Sequence, residues 1–180
     1  MNKFYITFLL IILSATSYGQ NNITARLTIT HGHGNVNFIF NTLNKYNTGL
    51  TLTNWTKFHV YYNDTIAGPL VNGNGWQLDF KSMTVNIEGA TGLTLPTQTV
   101  EIEASGSNGT ITYNTWTALT AADQTIVLAP VQTGGGTPYS EDVFISYNCG
   151  KNDSGSGVSV WSKQPDYYVV DILFTLLARP

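Results

Sequence analysis

Apolar and polar side chains alternate with a period of two along most of this chain. The longest clean instance covers residues 166–177. There Tyr168, Val170, Ile172, Phe174 and Leu176 fall on one side, and Tyr167, Val169, Asp171, Leu173 and Thr175 on the other. Strands send successive side chains to opposite faces, so this pattern predicts a half-buried strand that closes the domain. A slip of one residue would bury Asp171, which pins the register.

Shorter segments repeat the theme. Ala25, Leu27 and Ile29 alternate with Arg26, Thr28 and Thr30, and His31-Gly-His-Gly-Asn35 reads as a turn into a second run over residues 36–40. Residues 41–49 are polar and read as a loop. Trp55, Lys57, His59 and Tyr61 oppose Thr56, Phe58, Val60 and Tyr62. Trp76, Leu78 and Phe80 point inward with Gln77 and Asp79 outward, and Met83, Val85 and Ile87 extend that pattern. Further inward sets are Val100, Ile102 and Ala104, then Ile126 and Leu128, then Val143, Ile145 and Tyr147. Gly68-Pro69, Asn72-Gly-Asn-Gly75, residues 105–109, Gly134-Gly-Gly136 and residues 148–157 supply turns and loops. Only residues 117–123 suggest a helical turn. Roughly eight to ten short strands spaced by turns predict an all-β fold. The expected architecture is an antiparallel β-sandwich, immunoglobulin-like or pilin-like, with a closed barrel as the alternative.

Charge changes the picture next. Charged residues make up 11% of the chain and the formal net charge is −3, where ordinary globular domains carry about 25% charged residues. Thr, Asn and Gly fill the polar positions instead, as they do on exposed sheet faces and in turns. No basic cluster is present, which excludes the usual nucleic-acid footprint. Lys3 precedes an apolar core at residues 8–13, and the small residues Ser17 and Gly19 stand just before Gln20. That is the layout of a secretory signal peptide over residues 1–19, with an apolar run too short to span a bilayer. The sequence therefore predicts export to the periplasm, the outer surface or the medium. One β-sandwich domain over residues 20–180 follows, with no membrane span in the mature chain. Cys149 is the single cysteine, which rules out an intrachain disulfide and suits a buried, inert thiol.

Candidate chemistry is sparse. His31 and His33 would face the same way in an extended segment and suit a pair of metal ligands, but a solvated Gly-rich turn is the plainer reading. Glu101 and Glu103 share a strand face about 7 Å apart along the strand. A carboxylate pair serves glycoside hydrolysis when it flanks a cleft, and the alternation places this pair on a solvated face instead. Asn152, Asp153 and Ser154 carry oxygen donors without the spacing of an EF-hand. Gly134-Gly-Gly136 lacks the Lys and helix of a phosphate loop, and neither a nucleophile elbow nor a zinc-protease motif occurs. Trp55 and Trp116 lie in similar Thr/Asn settings and, if exposed, could stack on a sugar ring. Trp76 and Trp161 read as structural.

The segments Asn37-Phe-Ile-Phe40 with Tyr46-x-x-Gly49, Trp76-Gln-Leu-Asp-Phe80 and residues 168–176 resemble small exported β-sandwich surface proteins of the Bacteroidota, some pilin- or adhesin-like. The resemblance implies fold and location, and self-assembly by analogy. In pilin-like assembly a terminal strand completes a neighbour's sheet, and here the candidate strand carries Ala25, Leu27 and Ile29. The first functional expectation is a secreted or cell-surface structural or adhesive protein, fimbria-like and without catalysis, whose partner is itself. The alternative is a carbohydrate-binding module that presents Trp55 or Trp116 to surface glycans. Neither reading calls for a cofactor.

Overall fold

β-Branched and aromatic side chains favour extended backbone, and strands occupy 54% of the described residues in a computed structural model. It describes residues 22–32, 35–65, 75–131 and 138–179. The leader at residues 1–19, His33, the Gly68-Pro69 turn, residues 72–74 and the Gly134-Gly-Gly136 loop lie outside the described residues.

The strands, in chain order, begin with β1 (Asn22–His31), β2 (Leu50–Thr65), β3 (Gly75–Ser82) and β4 (Asn86–Gly89). Next come β5 (Thr94–Pro96), β6 (Val100–Ser105), β7 (Thr112–Tyr113) and β8 (Thr117–Ala118). The last four are β9 (Gln124–Leu128), β10 (Tyr139–Cys149), β11 (Tyr168–Val169) and β12 (Ile172–Arg179). All pair antiparallel in three open sheets, ordered β1-β2-β10-β6-β8, β12-β3-β9-β7 and β11-β4-β5. The fold is an all-β sandwich, and among the described residues no barrel closes. Phe58 of β2 meets Phe174 of β12 at 5.0 Å between ring centroids, and Trp76 of β3 meets Tyr139 of β10 at 6.2 Å. These contacts join the five-stranded and four-stranded sheets through one core.

Period-two registers hold in part. Thr56, Phe58, Val60 and Tyr62 are buried, as are Trp76, Leu78, Phe80, Val143, Ile145 and Tyr147. Asp79, expected outward, is buried too, where Gln77 and Thr125 donate to its carboxylate. Elsewhere local geometry overrides the alternation. The closing run is not one strand: β11 pairs with β4 and β12 with β3, so the chain changes sheets around residues 170–171. Its inward set is half-buried because β12 is an edge strand. Residues 36–40 keep the alternation but pair with no strand among the described residues. Met83 and Val85 are exposed at 58% and 75%, since they sit in the turn after β3. In β9 both Ile126 and Val127 are buried, because a register shift opposite Leu78 and Asp79 puts consecutive side chains inward. Residues 117–123 form β8 and a bend, not a helical turn. The helix is instead α1 (Leu43–Thr48), in the segment that read as loop. Thr42 caps it by accepting from the Lys45 amide at 3.4 Å, and Gly49 ends it at φ +70. No helix among the described residues is long and apolar enough to cross a membrane.

Candidate functional site

The candidate assembly residues lie on β1. This strand ends the five-stranded sheet, and its whole length runs against β2, with Ala25 opposite Tyr62, Leu27 opposite Val60 and Ile29 opposite Phe58. The β2 partners are buried, yet Ala25 is exposed, Leu27 half-buried and Ile29 exposed at 51%. β1 therefore overhangs the opposite layer, where its nearest neighbour is the edge strand β12. Main-chain hydrogen bonds hold it more than apolar burial does. His31 is exposed at its end, opposite Lys57. No group of three metal-ligating side chains occurs among the described residues.

The outer face of β2 and β10 carries a polar constellation that sequence spacing could not show. His59 lies opposite Asp142, with Ser140 two residues before it on the same face. Asp142 Oδ1 is 3.0 Å from His59 Nδ1, and Ser140 Oγ is 3.3 Å from His59 Nε2. The carboxylate can only accept, so Nδ1 carries a proton, while Nε2 accepts from Ser140 in the neutral ring and donates to it in the charged one. Lys57 Nζ bonds the other Asp142 oxygen at 2.7 Å. Hydrogen bonds from Lys57 and His59 hold the Asp142 carboxyl below its usual range. The order Ser–His–Asp matches that of a nucleophilic triad, but the side chains stand part-exposed on an open sheet face. Acyl transfer also needs oxyanion donors and a site closed to water. Trp55, at the break in the β2–β10 register, is half-buried against the core and donates from Nε1 to the Asn35 carbonyl at 3.3 Å. Trp116 is half-buried just before β8. The expected structural Trp161 is 54% exposed, whereas Trp76 is fully buried.

Glu101 overturns the expectation of a solvated acidic face. It points away from the interlayer core, yet the loop after β10 covers it completely. The Asp153 and Ser154 amides donate to its two oxygens at 3.1 and 2.9 Å, and Asn148 Nδ2 reaches it at 3.4 Å. Burial raises its pKa, but these donors outweigh burial and hold the carboxyl below its ordinary value. Glu103 is only part-buried, and its pKa is raised by burial and by the Asp153 charge. Asp153 and Ser154 thus turn their amides onto a carboxylate, and the Asp153 carboxylate accepts from Asn148 Nδ2 at 2.7 Å. Cys149 is buried as expected, its thiol pushed up to about 12 by burial.

No protein-family model matches the chain, and no curated protein matches it.

Proposed function

We propose that this chain is an exported, non-catalytic surface protein that joins further copies of itself through β1, as a structural or adhesive subunit. One observation carries the reading: among the described residues β1 ends its sheet with its outer backbone edge unpaired and its inward apolar face largely uncovered. Proteins blunt such edges with charge, proline or bulges. β1 has one cation, Arg26, a register shift near His31, and no proline. An added strand from a second copy would extend the ladder and bury Ile29. The low charge density of the chain reduces repulsion between copies. The resemblance to pilin- and adhesin-like surface proteins points the same way. Glycan binding through Trp55 or Trp116 has less support, since both rings are half-buried and the Trp55 N–H is engaged.

Light scattering on a sizing column should show oligomers that grow with protein concentration. Ile29→Lys should shift the population to monomer while the circular dichroism of the sheets is retained, and removal of residues 20–30 should do the same. A wild-type chain that stays monomeric at every concentration would overturn the proposal. The non-catalytic part has its own check: a fluorophosphonate probe should leave Ser140 unlabelled, and labelling that disappears in His59→Ala would refute it.

A further inference from the structure

The two layers leave space between them. A cavity of about 530 Å³ lies between the five-stranded sheet and the part of the opposite layer built from β4, β5, β11 and the start of β12. Close-packed interiors rarely leave voids larger than a water, while small-molecule sites span about 300–1,000 Å³. The cavity therefore has the size of a site. Its walls are rich in rings: Phe58, Tyr147 and Phe174 from the strands, and Phe38, Phe40 and Tyr46 from the segment between β1 and β2.

Two further features say what would fit. Thr99, fully buried, forms part of the wall, and its hydroxyl has no hydrogen-bond partner among the described residues. Buried hydroxyls are seldom left so, because the desolvation cost is not recovered. At the lip, Asp166 and Asp171 outnumber Lys163. The Asp166 carboxylate is held by the Thr91 amide and hydroxyl at 3.1 and 2.8 Å. A net negative lip disfavours an anionic amphiphile. The cavity is also closed by an unusual element. Residues 35–41 turn Val36, Phe38 and Phe40 toward the core, but no backbone–backbone hydrogen bond among the described residues holds them. Side chains hold this strap instead, Trp55 Nε1 to the Asn35 carbonyl and Lys45 Nζ to the Ile39 carbonyl, each at 3.3 Å. Such a segment can lift without breaking a sheet ladder.

We propose that this cavity binds a neutral, ring-bearing apolar molecule with one hydroxyl group, which enters beneath the 35–41 strap and hydrogen-bonds Thr99. The rings offer edge-to-face and offset contacts to a flat apolar body. Ile29 of β1 also borders the cavity, but the ring walls and Thr99 lie away from the β1 backbone edge, and binding does not require self-association.

The test uses the purified chain and the neutral fluorophore N-phenyl-1-naphthylamine, with naphthalene, 2-naphthol and 2-naphthoate as competitors. Saturable binding to one site is expected. 2-Naphthol should displace the probe at about tenfold lower concentration than naphthalene, the worth of one well-made hydrogen bond, and 2-naphthoate should be the poorest of the three. Thr99→Val, which keeps the shape and removes the hydroxyl, should erase the preference for 2-naphthol over naphthalene. It should also raise the Tm of the unliganded protein by about 2–4 °C, because an unpartnered buried group is gone. A purely structural Thr99 would give no change in ligand preference. Cys149→Phe, which fills the cavity from its wall, should abolish probe binding; should that variant not fold, the Thr99→Val comparison decides alone. The proposal is overturned by absence of saturable binding, by binding that a folded Cys149→Phe variant retains, or by a 2-naphthol preference that survives Thr99→Val.

Discussion

Replacing Glu101 by alanine is expected to destabilise the fold by about 2–4 kcal/mol, because two loop amides lose a charged acceptor in a covered site. The Asp153 and Ser154 amides donate to Glu101, and the loop's close approach leaves no room for substitutes. A β-carbon at Gly157 would already collide with Glu101 Oε1 and the Lys151 carbonyl. Glu101→Gln keeps one acceptor oxygen and loses the charge, so its cost should be smaller. The pH dependence has a definite sign. A carboxyl whose folded pKa lies below its ordinary 4.5 contributes stability that is full above that value and is lost as the pH falls through the folded one. The gap between wild type and Glu101→Gln, measured by urea denaturation, should therefore narrow on acidification below about 4.5. Glu103, whose raised pKa means that protonation favours the folded state, is present in both proteins and cancels from the gap. A Glu101→Ala variant as stable as wild type would show that the loop needs no anchor.

Trp76→Ala should cost about 3–5 kcal/mol and lower the Tm by roughly 10 °C. Trp76 is fully buried in β3 and forms an edge contact with Tyr139 across the layers at 78° between ring planes. Truncation there leaves a void that two stiff sheets cannot close. Trp76→Phe should be far milder, because the indole N–H has no partner among the described residues and its removal offsets part of the lost packing. Differential scanning calorimetry on the pair would separate volume from polarity. Near-equal losses in the two variants would mean that the site collapses around either side chain.

Where a strand has one buried face, the sequence is easily read. Phe58, Val60 and Tyr62 could be assigned inward because any slip would bury Lys57 or His59. The same rule misleads once a strand stops pairing. Met83 and Val85 continue the apolar beat into a turn that faces solvent, and Val36, Phe38 and Phe40 keep it in a strap that pairs with no described strand. α1 escaped notice because its six residues hold too few turns for a helical period, although the Thr42 and Gly49 caps were legible. Alternation gives the face of a residue but not its cover, which is why Glu101 passed for solvated. His59 and Ser140 are 81 positions apart, and only the β2–β10 register joins them. The cavity is still less legible, being set by where two sheets fail to meet.

The switch of the closing run from one sheet to another bears on how the chain acquires its structure. β3 must wait for β12, and β4 for β11, so residues 75–89 stay without these partners until residues 168–179 arrive. Pairings across such sequence distances place a domain among the slower folders, on the order of milliseconds to seconds. During that interval β3, with the backbone edge that β12 will take still unpaired, is the segment most open to capture by a stray strand, and a holding factor would do most good there.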